Sequence, residues 1–296
     1  MQLSTLVILY NATLTTSSTL QSLLNCDFSN NLQVKVFIWN NGPHLLEERD
    51  IALYLEKTKV LGLEVKIFQD IRNIALSKIY NYLINKNNFD FFIPFDQDSY
   101  LTNDFFQTIA MHSDYSLILP RVESNEQIKF PYYVKHGPIL KEGKVEIHRV
   151  TSINSGIAIA KSLVEIFSKE KLTVFDERFA FYGIDTVFFL NLWGLYKKYP
   201  SINCGYFGKI KHSLAMEEEQ EQLGQLSPAR RLEYLYFFIL YRLHYKQRSK
   251  LSVLFHVINK MRKSKIKDKE SISQLLQCLI KGQHPRSAFS ILDDKS

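Results

Sequence analysis

The sequence predicts an α/β protein with a helical, basic appendage at its C-terminal end, and three observations carry that prediction. Through the first half, apolar runs of strand length alternate with stretches of helical period, the sequence form of a mainly parallel sheet covered by helices. One of these runs ends in two aspartates separated by a single residue, Asp96 and Asp98. Near Met216 the composition changes, and the chain beyond it is rich in Lys, Arg and aromatic residues.

Taken in order, residues 3–10 form the first expected strand, and the Thr and Ser residues after it suit the cap of a helix reaching residue 24. Residues 34–39 form the second, stopped by Asn40-Asn41-Gly42-Pro43, where Gly and Pro demand a turn. A helix over 45–55, a strand over 64–68, a helix over 74–85 and a strand over 91–95 come next. From 128 to 150 the pattern is irregular, broken by Pro131, Gly137, Pro138 and Gly143, as in a hairpin or a loop over a site. Residues 157–168 and 184–198 have helical period, and 202–207 read as a strand leading to Lys211-His212. Ser227-Pro228 opens a further helix, Ser as its cap and Pro in its first turn. The expected division is 1–215 for the α/β domain and 216–296 for the helical region.

Composition narrows the function classes. Of 296 residues, 46% are hydrophobic and 23% charged, enough apolar material for a sizeable core. The net charge is +7, yet residues 227–270 alone hold 12 basic and 3 acidic side chains, leaving the rest slightly acidic. A local patch of this kind argues against a nucleic-acid partner, since no base-reading module accompanies it. Cys26, Cys204 and Cys278 stand far apart with no CxxC, which points to neither a disulfide framework nor a cysteine zinc site and suits a reducing cytoplasm. The apolar run at residues 6–10 has no basic residue before it and no small-residue cleavage site behind it, so it is not expected to be a signal peptide. The longest apolar stretch, 234–241, falls far short of the roughly 18–20 residues a spanning helix needs.

The chemistry concentrates in Phe91-Phe92-Ile93-Pro94-Phe95-Asp96-Gln97-Asp98-Ser99. Two carboxylates at the end of a strand can hold Mg²⁺ or Mn²⁺ beside a diphosphate, because these ions keep open positions for phosphate oxygens. The same spacing fits a solvated turn, and it also fits a phosphatase of the haloacid dehalogenase type with Asp96 as nucleophile. A nucleotide-sugar-binding module without activity is a third reading.

The order of the motifs is more specific than any one of them. Tyr10-Asn11, Asn40-Asn41-Gly42, Asn73-Ile74-Ala75-Leu76-Ser77 with Tyr80-Asn81, the aspartate pair, Ile153-Asn154-Ser155-Gly156, Phe175-Asp176-Glu177-Arg178-Phe179, Gly183-Ile184-Asp185 and His212-Ser213-Leu214 together resemble the family-two inverting glycosyltransferases of GT-A fold. The wording is most similar to the rhamnosyltransferase branch that builds bacterial O-antigens and capsules. The resemblance implies a GT-A domain that uses Mg²⁺ or Mn²⁺ and a nucleoside-diphosphate sugar, dTDP-rhamnose or a UDP-sugar. It puts Tyr10, Asn11, Asn40 and Asp96 on the nucleotide, Asp98 and His212 on the metal, and Asn154, Ser155 and Gly156 on the sugar or acceptor. It makes Asp185 the general base. Four positions depart from the family pattern: Asn40 replaces an Asp, Ala75 a Gly, Ile184 an acid and Asn191 a basic residue. No Gln-x-x-Arg-Trp motif is present, so single additions are expected, onto a lipid-linked oligosaccharide. The basic aromatic tail fits an anionic membrane surface at the inner face of a bacterial membrane, and it equally fits a packed helical hairpin.

Overall fold

A computed structural model of the chain describes residues 1–28, 32–213, 226–263 and 266–291. The chain divides into two compact units. The first comprises Met1–Asn73, Tyr80–Val174 and Asp185–Ser213; the second comprises Ile74–Ile79, Phe175–Ile184 and Leu214–Ser296.

The first unit is built on a ten-stranded sheet. β1 (Gln2–Leu9), β2 (Gln33–Asn40), β3 (Glu64–Gln69) and β4 (Phe91–Asp96) run parallel in the order β4-β1-β2-β3. β1 is buried from Leu3 to Leu9, which is why it reads as a continuous apolar run rather than an alternating one. Between the parallel strands run α1 (Ser18–Leu23), α2 (Glu48–Val60) and α3 (Leu76–Lys86); the last of these begins in the residues of the second unit and ends in those of the first. Ser17 caps α1, its hydroxyl accepting the Leu20 N–H at 3.2 Å, as the Thr/Ser cluster suggested.

The other half of the sheet departs from the sequence reading. β5 (Ser99–Leu101) leads to α4 (Phe105–Met111), and then to β6 (Leu117–Ser124), for which the sequence gives no clean strand signal because Pro120 interrupts it. Pro120 is tolerated because β6 pairs with β13 (Cys204–His212) at an irregularity, the register shifting between Tyr206 and Lys209. A proline that cannot donate to the ladder belongs at such a bulge. Gly208 supplies the bulge's positive φ of 80°.

Residues 158–160 are strand rather than helix: β12 (Ala158–Ala160) is antiparallel to β4 on one side and β6 on the other. The helical period over 157–168 comes from α5 (Lys161–Lys169), which continues without a break; pairing with β4 and β6 decides residues 158–160. The irregular stretch after β6 consists of β7 (Gln127–Phe130), which pairs β6, a small three-stranded sheet of β8 (Tyr132–Tyr133), β9 (Gly137–Pro138) and β11 (Val150–Thr151), and β10 (Gly143–Val145) on the edge of β13. α6 (Ile184–Lys198) then precedes β13. The core of this unit joins Leu3, Val7 and Leu9 of β1 to Phe91, Ile93 and Phe95 of β4 and to Phe105, Phe106 and Ile109 of α4.

The second unit gathers α7 (Pro228–Leu240), the π-helical turn Tyr241–Tyr245, α8 (Lys250–Lys263) and α9 (Lys269–Lys281) around the segment Phe175–Ile184. Ser227 caps α7 with Pro228 in its first turn. The boundary expected at Met216 and the acidic run after it lie outside the described residues. Phe237 of α7 packs so closely that a Cβ on Gly183 would meet its ring at 2.1 Å. Asp176 binds Arg178 and accepts from the Tyr245 hydroxyl at 2.9 Å, and the His284 N–H donates to the Arg178 carbonyl at 2.9 Å. Among the described residues, no helix is long and apolar enough to cross a membrane.

Candidate active site

The site forms where β4 ends. Asp96 is the last residue of β4, paired with Ile8 of β1, and the parallel strands put their C-terminal ends, the usual binding edge of an α/β sheet, on this side. The turn after it is held by the start of α1. The Gln97 carbonyl accepts from the Ser17 hydroxyl at 2.8 Å and from the Thr19 N–H at 3.2 Å, and the Gln97 side-chain oxygen accepts from the Tyr10 N–H at 2.7 Å. The Thr19 hydroxyl receives the Ser99 N–H at 2.9 Å. The two aspartates therefore project from a turn whose backbone is fixed from below.

His212 arrives from the far end of β13, because β5 and β13 pair with Ser99 opposite His212. Its Nδ1 lies 3.4 Å from Asp98 Oδ1 and its Nε2 lies 3.7 Å from Asp96 Oδ2. One ligand atom from each of the three lies within 4.8 Å of the others. The imidazole is buried and the carboxylates are partly open, so the set has a fixed wall and an accessible mouth. Two carboxylate oxygens and one imidazole nitrogen suit Mg²⁺ or Mn²⁺, with room left for phosphate oxygens. No thiolate takes part. Ser213, next in the chain, donates its hydroxyl to Asp98 Oδ2.

Beneath the carboxylates lies a relay the sequence did not announce. Ser99 Oγ is 3.1 Å from His212 Nδ1 and 2.7 Å from Ser155 Oγ, and Ser155 Oγ accepts the Asp96 N–H at 3.1 Å. Ser99 and Ser155 are both buried. In the polar turn Asn154-Ser155-Gly156, Ser155 has its hydroxyl engaged under the aspartate pair. Gly156 has a φ of 81°, and a Cβ there would stand 3.0 Å from Pro120 and 3.1 Å from Ile210. Its N–H donates to the Pro94 carbonyl at 2.7 Å. Asn154 Oδ1 is buried with no hydrogen-bond partner.

The nucleotide-side residues fall at the ends of β1 and β2. Tyr10 is exposed, and Asn11 comes next with a φ of 52° and its N–H on the Gly42 carbonyl at 2.7 Å. Asn40 is buried with its amide largely committed: Nδ2 donates to the His44 carbonyl at 2.8 Å and to Gln69 Oε1 at 3.1 Å, and Oδ1 accepts the Gly42 N–H at 3.1 Å. An Asp at this position could not donate those two bonds, a physical reason for the departure from the family pattern. Gly42 is needed at the turn, since its φ is 98° and a Cβ would sit 2.6 Å from the Ile71 carbonyl oxygen.

Asp185 occupies the first turn of α6, where its Oδ1 accepts the Thr186 N–H at 2.7 Å. Desolvation raises its pKa, only partly offset by the bonds from Thr186 and its own backbone. Asp96 is raised too, first by desolvation and then by the negative charges of Asp98 and Asp185, with His212 opposing. The Asp185 charge also raises the Tyr80 and Tyr132 phenols, each already raised by desolvation. Asp185 thus shares an electrostatic field with the cluster. A raised carboxylate near concentrated negative charge is the environment of a base or of a cation site.

No protein-family model and no curated protein sequence matches the chain. Its likeness is to solved structures. S. aureus TarS superposes over 97% of this chain with a TM-score of 0.53 at 15% identity, and the match spans 50% of the TarS chain. TarS 1-349 in complex with UDP matches over 99% of this chain and 95% of that one, with a TM-score of 0.51 and 15% identity. The complex of TarS 1-349 with UDP-GlcNAc matches over 97% and 83%, with a TM-score of 0.51 and 14% identity. The chain therefore has the mixed, mainly parallel α/β fold of these structures, the GT-A type expected from the sequence.

Proposed function

We propose that this chain is a metal-dependent, non-processive inverting glycosyltransferase. The observation that carries the reading is the convergence of Asp96, Asp98 and His212 at the C-terminal edge of the parallel strands, in a fold shared with a protein solved with UDP and UDP-GlcNAc. Residues 1–215 would hold the catalytic domain and 216–296 the helical appendage.

Tyr10, Asn11 and the Asn40 turn line the base and ribose end, and Asp96 faces the ribose or the metal. Asp98 and His212 would hold Mg²⁺ or Mn²⁺, which would supply counter-charge for a diphosphate leaving group. Ser213 and Ser99 keep Asp98 and His212 in their orientations, and the turn Asn154-Ser155-Gly156 meets the sugar or acceptor. Asp185 takes the proton of the acceptor hydroxyl as that oxygen attacks the anomeric carbon from the face opposite the nucleotide. Desolvation strengthens the ionised carboxylate as a base, and its bond from Thr186 fixes its orientation.

For the finer assignment, the motif wording favours rhamnose from dTDP, with UDP-sugars next. It also favours a lipid-linked oligosaccharide of O-antigen or capsule synthesis as acceptor, met at the inner face of the membrane. The test is turnover of dTDP-rhamnose and a UDP-sugar panel with Mn²⁺, with and without lipid-linked oligosaccharide, and the anomeric configuration of the product by NMR. Acceptor-stimulated release of one nucleoside diphosphate with inverted product supports the reading. Retention of configuration, or phosphate release from simple esters through an aspartyl-phosphate at Asp96, overturns it.

A further inference from the structure

The helices α8 and α9 expose an apolar edge that their packing does not require. α8 buries Val253 and Val257, four residues apart, against the second unit. On another side of the same helix Leu251, Phe255 and Ile258 recur at helical spacing and stay in solvent, Leu251 at 64% and Phe255 at 63% exposure. α9 repeats the arrangement: Leu275, Cys278 and Leu279 are buried, while Leu276 and Ile280 are exposed, Ile280 at 66%. A helix that only packs on its own protein shows one apolar stripe and a polar remainder. Here each helix has two.

The exposed stripes lie on neighbouring helices. Lys250 Nζ donates to the Ile280 carbonyl at 2.6 Å, a cation on a helix C-terminus, and this bond sets the start of α8 beside the end of α9. Leu251 adjoins the donor of this bond in the chain and Ile280 supplies its acceptor, with Phe255 and Leu276 one turn further along their helices.

Cations border that edge at both ends. Arg248, Lys250 and Lys281 stand at one, Arg262 and Lys267 at the other, all exposed except for Lys250's bond to the carbonyl. From 234 to 267 the sequence contains no acidic residue, and Asp268 is engaged as the cap of α9 through the Ser271 N–H at 2.7 Å. The flexible stems of Lys and Arg can lie along apolar surface while their charges reach outward. An apolar edge with a cationic border, its acids confined to Asp268 and Glu270 at the start of α9, is complementary to an anionic lipid surface, where the side chains enter the acyl boundary and the cations meet headgroups.

We infer that the edge formed by Leu251, Phe255, Leu276 and Ile280 is the surface by which this chain docks on an anionic membrane. The inference deepens the membrane part of the proposed function and is independent of the sugar chemistry.

The test uses the full chain and sedimentation with vesicles of phosphatidylcholine alone or with 30 mol% phosphatidylglycerol, a composition of about physiological anionic content. Two variants are compared with wild type: Leu251→Ser/Phe255→Ser/Ile280→Ser, and the charge-only Arg248→Gln/Arg262→Gln/Lys267→Gln, whose surface positions leave the fold intact. Wild type should bind the anionic vesicles roughly a hundredfold more tightly than the neutral ones, with binding lost as salt rises. The apolar variant should lose at least about tenfold, and the charge variant roughly tenfold or more. Absence of wild-type binding to anionic vesicles would overturn the membrane reading as a whole. Wild-type binding that both variants retain in full would overturn this face alone. A fall from dimer to monomer by light scattering in the apolar variant, with vesicle binding unchanged, would also overturn it and assign the edge to a second copy of the chain.

Discussion

Ser99 Oγ and Ser155 Oγ lie 2.7 Å apart beneath the aspartate pair, joining His212 on one side to the backbone of Asp96 on the other. Two strands and a turn from distant parts of the chain are thereby tied to one geometry. Groups that orient metal ligands in this way commonly change metal affinity by about 10- to 100-fold when removed. Ser155→Ala should therefore weaken Mn²⁺ binding by roughly tenfold, measured by calorimetry with the metal alone, and lower stability by about 1–3 kcal/mol through the unpaired Asp96 N–H. Unchanged metal affinity would reduce the relay to packing.

Asp185 predicts a pH dependence. Its pKa is raised by desolvation, and the base acts in its ionised form. Turnover should be fully present well above that pKa and fall as pH drops through it, with a midpoint above the ordinary carboxylate value of about 4. Asp185→Asn should lower kcat by roughly 10²- to 10⁴-fold, remove this acid limb and leave nucleotide affinity nearly unchanged. A kcat–pH profile of both proteins, with nucleotide titration alongside, checks all three expectations.

Gly183 is fixed by geometry rather than chemistry. With a φ of 85° and a Cβ position 2.1 Å from the Phe237 ring, Gly183→Ala combines backbone strain with overpacking. It should destabilise the fold by about 2–4 kcal/mol, read by chemical denaturation, and the second variant Phe237→Leu should relieve part of that loss when combined with it.

The parallel half of the sheet was legible because β1, most of β2 and β4 are buried continuous apolar runs and the turns are marked by Asn, Gly and Pro. Strand β1 and the turn at Gly42 needed no tertiary information. Strands β6 and β12 were not legible: Pro120 masks the first unless the bulge opposite it is known, and the apolar residues 158–160 run directly into a helix. Asp98 and His212, expected on the metal, and Asp96, expected on the nucleotide, were found as residue types in an ordered set, and the geometry brings the three within reach of one another. The serines were missed as a group because a hydroxyl has no sequence signature; only the fold reveals that Ser99 stands opposite His212 and beside Ser155. Asn40 shows the converse, since a residue marked for nucleotide contact has most of its hydrogen-bonding capacity committed to its own turn.

The most direct test of the account is calorimetric titration of dTDP, UDP and GDP, each with and without Mn²⁺, into wild type and Asp98→Ala. The account predicts that one of these nucleotides binds in the presence of Mn²⁺, and that Asp98→Ala weakens this binding by at least about tenfold. Binding that is the same with and without the metal, or undiminished in Asp98→Ala, would contradict it.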